Sequence, residues 1–317
     1  MAAPANLVTT LNTVGQREDL EDVIYRVAPE KTPFISSIGK VKVKARYHEW
    51  QVEDLATPNP ENAAVEGDEA TLQAGNQPAR VGNYCQIFTK TFGVSRTDDV
   101  VDLAGRDKES TRQAVIKGLE MRRDMEAAFL QNRASQNESG ANPRKAAGAL
   151  AWLTTNVSRG AGGANGGFSA GIVAAATNGT QRTFTEALVK TVMALAFNSG
   201  ASPSIAMMGG TNKQQFSAFT GIAQTRTEVK GRNQATIISG ADYYVSDFGT
   251  LAIVPHQYAL TRDCFIYDPD FWAVGTLDGF KKEMLAKTGD SEKWLLTHEA
   301  TLVARNQKSS GVVADLL

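Results

Sequence analysis

The stretch that most constrains the fold is LAKTGDSEKWLLTHEATLVARNQKSSGVVADL, residues 285–316. After the charged turn TGDSEK it alternates apolar and polar residues, the period of a strand with two unlike faces. A strand has backbone donors and acceptors that need a neighbour. Little sequence follows it, so the pattern predicts a strand placed in a sheet begun much earlier in the chain.

Two strands are expected early. In VKVKARYHEWQVEDL, Val41, Val43, Ala45 and Tyr47 alternate with Lys42, Lys44, Arg46 and His48, which predicts a strand with one solvated face. YCQIFTKTFGVS, residues 84–95, predicts a second. Between them lies TPNPENAAVEGDEATLQAGNQPA, rich in Pro, Gly, Asn and acids. Glu53, Asp54, Glu61, Glu66, Asp68 and Glu69 occur here with no Lys or Arg before Arg80. So long a connection inside one domain is unusual and often functional. Two readings stay open: a hairpin projecting toward a partner, or a solvated surface loop. Ahead of these strands, residues 1–35 join the amphipathic piece REDLEDVIYRV to APEKTPF, where Pro29 and Pro33 favour an extended arm.

The strongest helix signal runs from about Asp107 to Ala134. Ala114, Gly118, Met121, Met125, Ala128 and Phe129 form one stripe, and Asp107 and Glu109 suit the positive end of the helix dipole. About 28 residues at ~1.5 Å each give a rod of roughly 40 Å, able to lie across a sheet as a girder. The glycine-rich run that follows, Gly162 to Gly167, reads as a flexible loop. It lacks both the GK[ST] of a phosphate cradle and the strand-then-helix setting of a dinucleotide fingerprint. FTEALVKTVMALAFNSG predicts a helix with Thr183 as N-cap and Gly200 near its end. SIAMMGG predicts a buried strand, TNKQQFSAFTG a helix capped by Thr211, and ADYYVSDFGTLAIVPH a hairpin. Residues 183–260 thus form an α/β layer distinct from the arm, hairpin and girder.

With 317 residues, 42% hydrophobic and 21% charged, the chain can bury a large core. Its 33 basic and 34 acidic residues leave a formal charge of −1, which argues against a surface built to neutralise many phosphates. Cys85 and Cys264 lie in strand-like contexts and are expected as buried thiols. No basic segment precedes an apolar core at the N-terminus, and no apolar run approaches ~18 residues, so an intracellular product is expected. The sequons at Asn137, Asn156 and Asn178 then read as coincidence.

No catalytic constellation results. His48, His256 and His298 are far apart, with no second ligand at metal spacing, which favours structural or surface roles. The paired acids Asp98–Asp99 and Asp268–Asp270 suit turns and caps. Lys213 follows glycines at the wrong spacing for a P-loop, HExxH is absent, and GFSAG (167–171) lies inside the glycine-rich stretch rather than at the strand-to-helix turn of a nucleophile elbow. Trp50, Trp152, Trp272 and Trp294 read as core or interface anchors.

TPFISSIGK (32–40), ALAWLTTNVSRGAGG (149–163), TNKQQFSAFTG (211–221), YYVSDFGTLAIVPH (243–256) and above all 285–316 carry a resemblance that extends over nearly the whole chain. In this order of parts the chain resembles the major capsid proteins of tailed bacteriophages with the Hong Kong 97-type fold, close to a podovirus-like branch. The resemblance implies an α+β fold with an N-terminal arm (1–40), an extended loop (41–92) and a P-domain (93–145) whose spine helix is about 107–134. It further implies an inserted A-domain (146–272) and P-domain return strands (273–317), the last of which completes the P-domain sheet. The implied role is a coat protein, not an enzyme, without cofactor or metal. Such a protein assembles with itself as pentamers and hexamers around double-stranded DNA, in the host bacterial cytoplasm. Implied partners are a portal protein, separate scaffolding and decoration proteins, and packaged DNA contacted non-specifically, with no membrane. The acidic loop would lie over a neighbouring subunit, with Lys213, Arg226, Lys230 and Arg232 of the A-domain or Arg122 and Arg123 of the spine as candidate partners.

One departure matters. The family's founding member welds its subunits through a lysine in the extended loop, and here no lysine lies between Lys44 and Lys90. A non-covalent shell is expected. An encapsulin-type nanocompartment shares the fold and is the alternative, although the closing segment fits the phage proteins better. A hydrolase or nucleotide-binding enzyme would need an elbow, P-loop or metal cluster, which the chain does not offer, and a tail or decoration protein would not require the long helix with an inserted layer.

Overall fold

A computed structural model describes residues 26–317 apart from 68, 70, 71, 73, 74, 106, 220–241 and 288. Most of REDLEDVIYRV, and Asp68, Arg226, Lys230 and Arg232, lie outside the described residues. The chain begins with α1 (Pro33–Ser37), β1 (Gly39–Lys42), β2 (Tyr47–Val52), β3 (Ala79–Tyr84), β4 (Gln86–Ser95) and α2 (Glu109–Leu130). It continues through α3 (Ala149–Trp152), β5 (Val157–Ser158), β6 (Gly167–Ser169), β7 (Ile172–Ala174), α4 (Glu186–Asn198), β8 (Ile205–Gly209) and α5 (Gly210–Ser217). The last elements are β9 (Tyr243–Ser246), β10 (Gly249–His256), β11 (Cys264–Tyr267), β12 (Trp272–Met284), β13 (Ser291–Ala304) and β14 (Gly311–Val313).

A four-stranded sheet has the order β1-β12-β13-β4. Strand β13 pairs with β4 from Ser291↔Ser95 to Ala300↔Gln86, so the closing segment does meet a sheet begun much earlier in the chain, at β1. Helix α2 packs on β4, with Met121, Met125, Ala128 and Phe129 buried along the expected stripe. The helix is shorter than its periodicity suggests. Its start is set by Asp99, which accepts the N–H of Ser110 at 3.0 Å. At its other end the chain 147–149 packs so close that a Cβ on Gly148 would lie 1.9 Å from the Gln131 carbonyl.

Each of the two early strands is divided in the structure, and at the same place. The chain leaves β1 at Lys42, passes Val43–Arg46, and starts β2 in a separate two-stranded hairpin with β3. The return breaks at Cys85, whose N–H donates to the Arg46 carbonyl at 2.7 Å, and re-enters the sheet as β4. Apolar and polar residues alternate through the first break, from Val43 to His48, which is why the sequence there reads as one unbroken strand.

The second sheet has six strands in the order β5-β14-β11-β8-β10-β9. Both faces of its central strands β14, β11 and β8 are buried, which explains their continuous apolar runs. Ala206, Met208, Cys264, Ile266 and Val313 point into a core with Phe184, Val189, Val192 and Met193 from α4 and its approach, and with Phe216 of α5. Met207, Phe265, Tyr267 and Val312 point the other way, into the core shared with α1, α2 and the four-stranded sheet.

Strand β14 corrects the expectation for the chain's end. It is inserted between β5 and β11, not in the sheet that holds β13. Asn156 enforces the crossing: its Nδ2 donates to the carbonyls of Lys308 (2.7 Å) and Ser310 (3.1 Å), and its own carbonyl accepts from Val312. Two caps are also displaced. Helix α4 has Thr185 rather than Thr183 at its N-cap, and α5 has Gly209, with Thr211 inside the first turn. The glycine-rich run is tied down at its end: the β6–β7 hairpin begins at Gly167, and a Cβ on Gly166 would lie 2.1 Å from the Ala174 carbonyl.

Candidate inter-subunit surface

The acidic loop projects from a firmly held base. Hairpin β2–β3 pairs from Tyr47↔Tyr84 to Val52↔Ala79. Trp50 donates its Nε1–H to the Ala304 carbonyl at 2.8 Å, and its ring lies 5.4 Å from that of Trp152. Tyr47 donates to the Gly171 carbonyl at 2.9 Å. Asn83, fully buried, donates to the Leu302 carbonyl (2.8 Å) and accepts from the N–H of Ala147 (2.9 Å). These bonds reach three separate parts of the body, so the hairpin's direction is set from within the subunit.

Beyond Val52 the chain leaves the body, and residues 53–67 are all exposed. Glu53, Asp54, Glu61, Glu66 and Glu69 are among the exposed residues, alongside Leu55 at 95% and Val65 at 77%. These two side chains add apolar surface to an otherwise polar and acidic protrusion. Asp54 pairs with Lys308 of its own chain at 2.6 Å, a bridge that no spacing rule reveals.

The candidate cations fare differently. Lys213 is only 16% exposed, lies 3.7 Å from Asp242, and burial lowers its pKa. Arg123 is half-buried, with its guanidinium 5.1 Å from the centre of the Tyr258 ring. Arg122 is exposed and donates to Ser36 Oγ at 3.4 Å. The structure therefore does not bring the acids and these cations together within one chain. Among the described residues strand β9 lies at the edge of the six-stranded sheet, with Tyr243 and Val245 exposed and Tyr244 buried between them. Tyr244 donates to Glu186 at 3.0 Å.

The residues weighed for chemistry sit at turns, helix starts or packed positions where described. Asp268 and Asp99 accept backbone N–H groups at turn and helix starts. His256 is buried against Glu126, and burial lowers the pKa of half-buried His48 and His298. Trp152 and Trp272 are in the core, with Trp50 and Trp294 packed against it. Among the described residues no group of three His, Cys, Asp or Glu is placed to hold a metal, and no helix is long and apolar enough to cross a membrane.

The family model for the SU10 major capsid protein matches residues 5–317. The chain belongs to this family. It is a major capsid protein of a tailed bacteriophage, a structural component of the virion shell. The major capsid protein of Escherichia phage Phieco32 is 24% identical over 344 residues, spanning 99% of this chain and 97% of that protein. Among solved structures, the capsid of cyanophage A-1(L) aligns with a TM-score of 0.63 at 11% identity, covering 97% and 98% of the two chains. The phage G major capsid protein, solved with its decoration protein, aligns with a TM-score of 0.55 at 12% identity over the whole of both chains. The fold is that of Hong Kong 97-type capsids, as the resemblance implied, and the encapsulin alternative rests on fold likeness alone.

Proposed function

We propose that this capsid protein closes an icosahedral shell of pentamers and hexamers without covalent cross-links, and that loop 53–67 of each copy lies on a neighbouring copy. The carrying observation is the loop itself: exposed Leu55 and Val65 among exposed acids, on a hairpin whose base is tied down by Trp50 and Asn83. A rigid base with an apolar, charged tip is suited to a defined contact. In this reading α2 is the spine of a P-domain (93–145 and 273–317), and 146–272 is the A-domain, with β14 threading the chain's end back into the A-domain sheet. The absence of lysine between Lys44 and Lys90 supports a non-covalent shell. No catalytic role is assigned. The proposed setting is the host cytoplasm, with separate scaffolding, portal and decoration proteins and non-specific contact with double-stranded DNA.

The test is to assemble shells, image them, then denature them and run the protein on a gel. A single band at the 34.0 kDa subunit mass is expected. A ladder of covalent oligomers would overturn the non-covalent reading.

A further inference from the structure

At the point where the arm meets the body, one buried carboxylate holds three elements together. Helix α1 has no side-chain cap from Thr32, and its first turn leaves the N–H groups of Phe34 and Ile35 without intrahelical partners. Both are taken by Glu126 of α2: Oε1 accepts from Phe34 at 2.7 Å and Oε2 from Ile35 at 2.8 Å. Glu126 is fully buried. Its third partner is His256 at the end of β10, with Nε2 at 3.2 Å from Oε1. His256 Nδ1 accepts from the N–H groups of Ala259 (3.0 Å) and Tyr258 (3.4 Å), so the ring proton belongs on Nε2 and is donated to the carboxylate. Three donors thus satisfy both oxygens of the buried carboxyl group.

The same neighbourhood grips the chain on both sides of α1. Tyr258 donates its hydroxyl to the Lys31 carbonyl at 3.2 Å, and Arg122 donates to Ser36 Oγ. Immediately upstream the arm is in water: Arg26, Val27, Ala28, Glu30 and Lys31 are exposed. Packing of Phe34 against Phe265, Tyr267 and Trp272 holds α1 in place. Apolar burial is non-directional, however, whereas paired hydrogen bonds to one carboxylate set orientation.

We propose that Glu126 is a positioning residue for assembly, which fixes where and in what direction the arm leaves the subunit and couples that exit to the six-stranded sheet through His256. The partner so presented is a second copy of this chain, and this part of the proposal rests on the self-assembly reading above.

The test compares E126Q with F34L in the full chain. Glutamine keeps the shape but sets an NH2 against one of the two backbone donors, whereas F34L removes packing and keeps both bonds. E126Q is expected to keep the wild-type circular dichroism while trypsin cleavage at Arg26 and Lys31 rises about tenfold. Its particles are expected to be open or mixed in diameter where wild type closes uniformly. F34L, at equal or lower stability, is expected to close uniform shells. Wild-type behaviour of E126Q overturns the proposal, and so does an equal shell defect in F34L, since both would then report stability alone. Should E126Q not fold, E126D, one methylene short, carries the same comparison; failure of both to fold makes Glu126 a folding residue and also overturns it. If wild type forms no shells, the self-assembly reading fails, while the trypsin rates on the soluble subunit still decide whether Glu126 holds the arm.

Discussion

Asp315 accepts the backbone N–H of Gly160 at 3.0 Å, joining the chain's end to the start of the glycine-rich run. Its other oxygen accepts from the Gly179 N–H (2.9 Å) and from Arg262 (3.2 Å), and Asp315 is 1% exposed. A Cβ on Gly160 would lie 2.0 Å from the Thr180 carbonyl, so this approach admits only glycine. Replacing Asp315 by Asn sets an NH2 against one of these donors. D315N is expected to cost about 1–3 kcal/mol in urea unfolding of the unassembled subunit, and G160A more than about 3 kcal/mol or loss of folding. Full stability in both would show that this junction does not hold β14.

Asp263 gives the subunit a pH dependence of known sign. Burial pushes its carboxyl up to about 6, against the pull of Arg159 and with the push of Asp315. Between about pH 4 and 6 the folded state therefore holds a proton that the unfolded state has released. Stability from this group is greatest below that window and falls as pH rises through it. D263N removes the titration, so the difference in unfolding free energy between variant and wild type should grow by about 2–3 kcal/mol from pH 4 to pH 7, in the variant's favour. A flat difference would mean that Asp263 titrates normally.

Asn83 tests how the loop is aimed. Its side chain links the hairpin to Leu302 of β13 and to Ala147 ahead of α3. N83L leaves the Ala147 N–H and the Leu302 carbonyl unpaired in the core, at a cost of about 2–4 kcal/mol. N83D places a carboxylate against the Leu302 carbonyl and is expected to be at least as harmful. Equal urea midpoints for the three proteins would show that Asn83 is dispensable to the base.

Cys85 and Cys264 are free and fully buried. Burial pushes the Cys85 thiol up to about 11 and raises that of Cys264 further. Thiolates are the reactive form. A thiol reagent at pH 8 should therefore label neither in the folded subunit and both in denaturant, and rapid labelling of either in the native state would place it at the surface.

Much of this architecture was legible because periodicity reports burial. The Met121–Met125–Phe129 stripe and the alternation of β13 each show which face is covered. What stayed hidden is long-range and polar. Alternation cannot tell one strand from two when the break at Arg46 is closed by a single backbone bond to Cys85. Nor could it place β14, whose sheet is chosen by the amide of Asn156 far upstream. Thr185 displaced Thr183 although neither side chain makes a cap bond, so cap chemistry there had no signal to read. Of the site residues, the exposed acids followed from composition, whereas Lys213 was credited to the surface because its pairing with Asp242 is tertiary. Glu126 carries no local mark beyond being an acid beside a buried stripe.

The loop acids are the remaining candidates that assembly itself can judge. Glu53, Glu61 and Glu66 are exposed, so the triple variant E53K/E61K/E66K should leave the subunit's unfolding free energy within about 0.5 kcal/mol of wild type. If these acids meet basic groups on a neighbouring copy, the reversal turns attraction into repulsion at every loop. Close like charges at an interface cost far more than exposed ones in a free subunit. Wild-type assembly, followed by light scattering, should slow as salt rises from about 50 to 500 mM, because screening weakens attraction. Assembly of the variant should be at least tenfold slower at low salt and should speed up over the same range. Identical salt profiles for the two proteins would remove the acids from the interface and leave Leu55 and Val65 as its carriers.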